Sequence, residues 1–175
     1  LFIEFIKRLY EITNKDDIYL RVVLEPNVPL DKIKLPKGPE YVIMCYNLYG
    51  YRTEPGPKAD KEFIDKLIEK TNLLPGEISF ALATGGFDFG DNGTIVALTE
   101  REALELARMH DKSPIMDRKS NALFFNYVDN QKIEHKVWYA NGRTIEYWID
   151  VIKQSGNNNI SLWKIGGNIN LENII

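Results

Sequence analysis

The segment Tyr41-Val42-Ile43-Met44-Cys45-Tyr46-Asn47 decides the fold prediction, because it is an almost unbroken apolar run that ends in a polar residue. A strand with one solvated face would alternate apolar and polar side chains, whereas a strand that is buried on both faces reads as a continuous apolar run. We therefore predict a buried strand over residues 40–47, of the kind found in parallel sheets.

Three similar apolar runs and three helical patterns surround this strand. The predicted strands cover residues 18–25, 78–84 and 159–165, and the predicted helices cover residues 2–12, 59–71 and 144–154. Strands that alternate with helices pair in parallel through right-handed crossovers. The pattern therefore predicts an α/β fold with a parallel sheet.

A break in this alternation lies between the third and fourth predicted strands. Thr99 and Glu102 fit a capping box, which predicts a helix that runs to about residue 109. Two antiparallel strands are predicted next, over residues 122–128 and 133–139. We interpret this part, about residues 87–142, as a small α+β insertion within a single domain that covers residues 1–175.

The composition restricts the partners and cofactors. The net charge of −3 argues against nucleic acid or an anionic membrane surface as a partner, since both favour a basic face. The apolar runs are far too short to span a bilayer. The single cysteine, Cys45, is interpreted as an inert core residue, and His110 and His135 lack a metal-ligand spacing. We expect no cofactor, no metal, no nucleic acid and no membrane span.

Three segments, read in order, resemble glycoside hydrolase family 18, which includes many chitinases and related N-acetylglucosaminidases. Residues 41–47 are similar to the family's sixth-strand pattern, Met-x-Tyr-Asp or Met-x-Tyr-Asn. The segment His135-Lys136-Val137-Trp138-Tyr139, with a helix that opens at Thr144-Ile145, resembles the end of the family's inserted α+β subdomain. Residues 160–167, ISLWKIGG, are similar to the eighth strand and its tryptophan. The resemblance covers nearly the whole chain.

The resemblance implies a partial (β/α)8 TIM barrel. The four predicted strands correspond to strands five to eight, with the α+β insertion between strands seven and eight. The family's signature Asp-x-x-Asp-x-Asp-x-Glu, whose Glu is the general acid, is absent from the sequence. The segment Asp88-Phe89-Gly90-Asp91 has a different spacing and is expected to lie in a loop. Since the family places the signature just before a helix like residues 2–12, we expect the chain to begin after the catalytic strand.

The resemblance also implies roles for five residues. In the family the substrate's own 2-acetamido oxygen is the nucleophile, so the protein must hold that group in line. Tyr46 and Asn47 correspond to the residues that hold the acetamido group and its sugar, and Trp163 corresponds to the apolar floor under the sugar ring. Met44 is expected to pack beneath the site, and Glu25 to contact sugar hydroxyls. From the residues alone, Tyr46 and Trp163 are also compatible with core aromatics, Asn47 with a simple strand end, and Glu25 with a solvated position.

One function hypothesis and two alternatives follow. The leading hypothesis is the C-terminal half of a glycosidase that hydrolyses β-1,4-linked N-acetylglucosamine glycans, chitin or bacterial cell-wall glycan, by substrate-assisted retaining catalysis, with the chain alone inactive. The first alternative is a catalytically dead glycan-binding protein of the lectin type, and the second is a structural or interaction module that shares only the fold.

The same resemblance sets expectations for partner and location. The expected partner is carbohydrate, and an open half-barrel face is expected to promote self-association. We expect a secreted or cell-surface bacterial protein. The chain begins at Leu1, inside a predicted helix, so we expect the natural N-terminus to lie upstream, and the lack of a visible signal says little about location.

Overall fold

The computed structural model describes residues 1–164, 166–169 and 171. This part of the chain forms a parallel sheet, an antiparallel sheet and four helices. The helices are α1 (Phe2–Thr13), which is followed by a 3-10 turn (Asn14–Asp16), α2 (Lys61–Thr71), α3 (Glu100–Met109) and α4 (Gly142–Gln154). The strands are β1 (Arg21–Leu24), β2 (Glu40–Met44), β3 (Ile78–Ala83), β4 (Gly85–Gly90), β5 (Ile95–Leu98), β6 (Ile115–Met116), β7 (Leu123–Val128), β8 (Glu134–Ala140) and β9 (Ile160–Trp163).

The first sheet contains strands β1, β2, β3 and β9 in that order, and every neighbouring pair is parallel. Residues that share a register, such as Leu24, Ile43 and Phe80, form rows across the strands. Helix α2 lies between β2 and β3 in the chain, and α4 precedes β9. The predicted α/β fold with a parallel sheet is therefore confirmed.

Three helices cover one face of the parallel sheet. Ile43 and Phe80 are buried in one apolar cluster with Ile6 of α1, Ile64 of α2 and Trp148 of α4. These helices carry apolar residues at helical spacing, so each can bury one stripe against the strands. The indole N–H of Trp148 donates a hydrogen bond to the Ser120 carbonyl at 2.9 Å. Burial of this indole, the largest side chain in the core, therefore leaves its N–H group with a hydrogen-bond partner.

No described helix or strand packs on the opposite face of the parallel sheet, which we call the uncovered face; its central side chains are nevertheless buried, and those of the two edge strands are exposed. Val42, Ala81 and Ala83 form a small apolar cluster there. Val23, which pairs with Val42, is 54% exposed, and Trp163, which pairs with Ala83, is 63% exposed. The apolar run of the first strand predicted a buried strand, and that prediction is wrong for β1. Half of its side chains point to a face that no described element covers.

The second sheet is antiparallel, with the strand order β5, β4, β8, β7, β6. Helix α3 packs on one of its faces, where Ala103 and Ala107 contact Phe125, Val137 and other apolar side chains of the sheet. The predicted helix and the predicted antiparallel hairpin are both present in this unit as α3, β7 and β8. The hairpin and the capping box of α3 are local patterns, which explains why they can be read from the sequence.

Three strands of this second sheet, β4, β5 and β6, were not predicted. The segment from Asp88 to Asp91 was expected in a loop, but Asp88 lies in the middle of β4, and β5 follows it. The prediction failed because Gly85 and Gly86 look like strand terminators. In the structure a Cβ on Gly86 would overlap the backbone of Trp138 in the paired strand β8. The glycine permits close strand pairing and does not end the strand.

Element boundaries also differ in places. Strand β1 begins at Arg21 and β2 ends at Met44, so the predicted strands over residues 18–25 and 40–47 were too long. Helix α4 is capped by Asn141, whose side chain accepts a hydrogen bond from the Thr144 amide at 3.0 Å. The last predicted strand reached Ile165, which lies outside the described residues; β9 itself ends at Trp163.

Candidate active site

Tyr46 and Trp163 lie in one row on the uncovered face, at the carboxyl edge of the parallel sheet. Met44 pairs with Ala81, and Ala83 pairs with Trp163. The Cys45 amide donates to the Ala81 carbonyl at 2.7 Å, which extends the alignment beyond the end of β2 and brings Tyr46 beside Ala83. The two aromatic residues are thus two strand spacings apart, about 10 Å.

Tyr46 is the more enclosed of the two aromatics, with 9% of its surface exposed. Burial raises the pKa of its phenol, and the negative charge of Glu25 raises it further. The hydroxyl therefore stays protonated at neutral pH and can donate a hydrogen bond. Among the described residues it has no hydrogen-bond partner, so that donor is available to a ligand.

Met44, Asn47 and Glu25 lie at the same carboxyl edge of the sheet as this tyrosine. Met44 is half-buried and packs against the same small cluster. Asn47 is exposed and has a φ of 67°, a left-handed conformation that asparagine tolerates better than most residues. It turns the chain out of the sheet and into the loop of residues 48–58. Glu25 is exposed just after the last residue of β1, and the negative charge of its carboxylate contributes to the raised pKa of Tyr46.

Trp163 is the last residue of β9, and its backbone is anchored to the neighbouring strand. The Thr84 amide donates to the Trp163 carbonyl at 2.9 Å, and the Thr84 hydroxyl donates to the Lys164 carbonyl at 3.0 Å. The indole itself is largely exposed, so a flat apolar surface is presented at this edge. Such a surface suits the C–H face of a pyranose ring.

Sequence reasoning missed a basic and aromatic cluster beside this edge. The Lys58 ammonium donates to the Thr84 carbonyl at 2.7 Å and lies 5.0 Å from the centre of the Phe87 ring. Tyr51 packs edge-on against Phe87, with ring centres 5.3 Å apart. Burial lowers the pKa of Lys58 to about 8. The alternation of Phe87 and Phe89 was the only local signal, and it is too short to identify a site.

A second polar cluster lies on the α3 side of the second sheet. The Asp88 carboxylate accepts the Tyr127 hydroxyl at 2.6 Å and lies 3.0 Å from Nδ1 of His135. The rings of Tyr127 and His135 stack at 4.5 Å. Within the described residues, no group of three or more His, Cys, Asp or Glu side chains could hold a metal ion. This cluster joins β4, β7 and β8 and is separate from the row of Tyr46 and Trp163.

The fold and the site together define an α/β protein with an aromatic site at the carboxyl edge of a parallel sheet, the edge at which such sheets bind ligands. None of the described helices is both long enough and apolar enough to cross a bilayer.

Comparisons with known proteins show which α/β proteins this chain is similar to. No protein-family model matches the chain. It is 26% identical over 143 residues to the uncharacterized glycosylase YvbX of Bacillus subtilis. The aligned region covers 79% of this chain and 42% of YvbX. The chain therefore spans less than half the length of that relative.

Solved structures share the fold. The chitinase from Chromobacterium violaceum superimposes with a TM-score of 0.81 at 20% identity, over 97% of this chain and 57% of the chitinase. The spore cortex-lytic enzyme SleL of Bacillus megaterium gives a TM-score of 0.78 at 22% identity, over 96% of this chain and 42% of SleL. The resemblance to the chitinase-like fold of glycoside hydrolase family 18 is confirmed.

Proposed function

We propose that the chain forms the C-terminal half of a (β/α)8-barrel glycosidase that hydrolyses β-1,4-linked N-acetylglucosamine glycans. In this proposal β1, β2, β3 and β9 are strands five to eight of the barrel, and residues 1–175 are one unit. The second sheet, about residues 87–142, is an insertion between strands seven and eight. The similarity to a glycosylase and to chitinase and cortex-lytic enzyme structures supports this assignment.

The observation that carries the proposal is the row that contains Tyr46 and Trp163. Both residues were assigned to one sugar site from sequence resemblance alone, and the strand register brings them to the same face and the same edge. A core aromatic of the sheet would instead face the helices, as Phe80 of β3 does.

The proposed roles follow from the chemistry of each side chain. The Tyr46 hydroxyl donates a hydrogen bond to the acetamido oxygen and holds it in line with the anomeric carbon. Trp163 stacks under the sugar ring, Asn47 binds the same sugar, and Met44 supports Tyr46 from below. Glu25 contacts sugar hydroxyls from the end of β1. The general acid that protonates the leaving oxygen would come from another part of the parent protein.

The substrate of the parent protein is proposed to be a glycan of the bacterial cell wall or chitin, and its site of action is proposed to be outside the cytoplasm. The name of SleL, a spore cortex-lytic enzyme, supports the cell-wall alternative. No nucleic acid, membrane or cofactor enters this proposal. A glycan-binding protein of the lectin type remains the alternative, since it would use the same aromatic row without hydrolysis.

Calorimetric titration of the chain with chitotetraose tests the site. Trp163→Ala should weaken binding about 10- to 100-fold, because the stacked indole surface is lost. Tyr46→Phe should weaken it about 2- to 12-fold, the value of one hydrogen bond. Val23→Ala, which alters an exposed side chain on the same face but nearer the opposite edge, serves as the control. Binding by Trp163→Ala as tight as by the wild type would contradict the proposed site.

Assays of reducing ends separate the enzyme from the lectin-type alternative. We expect the chain alone to release no new reducing ends, since general acid assistance contributes about 10²- to 10⁴-fold to the rate of hydrolysis. We expect the parent protein to release them. A parent protein that binds chitotetraose but does not cleave chitin or cell-wall glycan would favour the lectin-type alternative. Clear turnover by the isolated chain would show that the absence of the acid signature was misinterpreted.

A further inference from the structure

The segment that follows Trp163 is attached to the first turn of α3, which belongs to the second sheet. The Arg101 amide donates to the Gly167 carbonyl at 2.9 Å, and the Ile169 amide donates to the Glu100 carboxylate at 2.8 Å. These two bonds connect the exit of β9 to a helix that precedes it by about sixty residues. The connection is therefore a tertiary one that spans both sheets.

Gly167 fits closely against this helix start. Its φ is 68°, and a Cβ at this position would come within 2.6 Å of the Cβ of Thr99. Thr99 is itself constrained, since its side chain and that of Glu102 form the capping box of α3. Any residue other than glycine would meet both an unfavourable backbone conformation and a contact that cannot easily relax.

Glu100 is the first residue of α3, where the helix dipole favours an acidic side chain, but its burial is uncommon for a glutamate. Its surface is only 5% exposed, and among the described residues no cation lies within ion-pair distance of its carboxylate. Burial raises the pKa of this carboxyl, while the hydrogen bond from the Ile169 amide acts in the opposite direction. A buried carboxylate without a cation is costly. The hydrogen bond that the structure records for it is the one that holds the segment after Trp163.

The Trp163 side chain needs such support. Because the indole is largely exposed, neighbouring side chains do not determine its direction. The backbone sets the direction of its Cα–Cβ bond and limits its rotamers, and on the β3 side this backbone is held by Thr84. On the outgoing side, Asn168 donates to the Lys164 carbonyl at 3.1 Å, and the next attachments are those to Glu100 and Arg101.

We propose that Glu100 and Gly167 are positioning residues that hold the Trp163 indole ready for a pyranose ring. Neither touches the sugar; they act through the backbone that leaves β9. The second sheet thereby contributes to glycan affinity through α3. This inference rests on the proposed function, because it assumes that Trp163 is the sugar floor.

The expected size of the effect follows from the cost of ordering one side chain. An indole that is not held in place must be ordered when the glycan binds, which lowers affinity about 2- to 12-fold. The loss should be smaller than that caused by removing the indole itself. It should appear with Glu100→Ala and Gly167→Ala, but not with Glu100→Gln, whose amide oxygen can still accept the Ile169 N–H.

Fluorine NMR of the chain labelled with 5-fluorotryptophan tests the positioning without any ligand. The three tryptophans give three resonances, and Trp163→Phe identifies that of Trp163. We expect Glu100→Ala and Gly167→Ala to shift or broaden the Trp163 resonance and to leave that of the buried Trp148 unchanged. Glu100→Gln and the exposed control Glu105→Ala, on the same helix, should match the wild type. If Gly167→Ala does not fold, as judged by the Trp148 resonance, Glu100→Asp takes its place, because the shorter side chain withdraws the carboxylate from the Ile169 amide.

Titration of the same variants with chitotetraose separates this inference from the proposed function. A Trp163 resonance that is unchanged in folded Glu100→Ala would overturn the positioning role, even if the wild type binds glycan through Trp163. A resonance that moves, together with a wild type that binds no glycan, would overturn the proposed function and leave the structural coupling in place. Both a moved resonance and an affinity lowered about 2- to 12-fold would support the full inference.

Discussion

The guanidinium of Arg21 lies against the carboxylate of Glu40, with Nε and Oε2 2.5 Å apart, on the uncovered face of the parallel sheet. The same carboxylate accepts a hydrogen bond from Ser79, and the same guanidinium donates to Ser161 at 3.3 Å. Each of the four parallel strands thus contributes one residue to a polar layer at the amino edge of the sheet. Glu40 is only 7% exposed, so its carboxylate has little contact with water and is paired with Arg21 instead.

Removal of the arginine should destabilise the chain. In Arg21→Ala the Glu40 carboxylate loses its cation while it remains buried, and we expect a loss of about 1 to 3 kcal/mol in the free energy of unfolding. The control is Arg8→Ala, which removes an exposed pair with Glu4 and should cost less than about 0.5 kcal/mol. Denaturant titrations at neutral pH compare the two, and equal effects would contradict a structural role for the polar layer.

The uncovered face should make the chain self-associate. Val23 and Trp163 are exposed apolar side chains on this face, and β1 and β9 are the edges of the described sheet, where open hydrogen-bonding groups invite pairing with another chain. We expect light scattering over a dilution series to show oligomers at micromolar concentration.

A charge on this face should oppose the association. Val23→Lys should shift the equilibrium towards monomer, whereas Leu73→Lys, which replaces an exposed leucine outside the sheet, should leave it unchanged. A compact monomer of the wild type that unfolds cooperatively at micromolar concentration would refute the prediction.

Lys58 should make stability rise with pH between about 8 and 10. Burial lowers the pKa of this ammonium from 10.5 to about 8 in the folded chain, so in that interval the unfolded chain binds more protons than the folded one. Stability then increases as the pH rises. The difference in unfolding midpoint between the wild type and Lys58→Met should therefore change from pH 7.5 to pH 9.5 in favour of the wild type. Other groups that titrate in this interval affect both proteins equally, so they do not contribute to the difference. If the unfolding midpoints of the two proteins changed in parallel with pH, Lys58 would not be buried as described.

Gly86 should be intolerant of any side chain. A Cβ there would overlap the backbone of Trp138, so Gly86→Ala must push β4 and β8 apart, at a cost above about 3 kcal/mol. Gly93→Ala is the matched control, since no atom lies within 4 Å of its added Cβ and only its φ of 85° opposes the change. That strain alone costs about 1 to 2 kcal/mol. A smaller loss for Gly86→Ala than for Gly93→Ala, measured by thermal unfolding, would contradict the pairing of β4 with β8.

The sequence by itself determined the parts of this protein that depend on local patterns. Continuous apolar runs identified the four parallel strands, and helical spacing identified the helices that cover them. The capping box of Thr99 and Glu102 placed the start of α3. The polar and aromatic residues that end each run located Tyr46 and Trp163 at one edge, because the carboxyl ends of parallel strands meet at the same edge of a sheet.

Only the tertiary structure decided the features that depend on distant partners. Glycines that look like terminators form β4 because Trp138 lies across from them, and Val23 is exposed because no described element covers its face. The lowered pKa of Lys58 and the attachment of the Trp163 segment to Glu100 likewise arise from residues far away in the sequence. Burial and charge at a position depend on what the fold packs against it, and a linear pattern of residues does not contain that information.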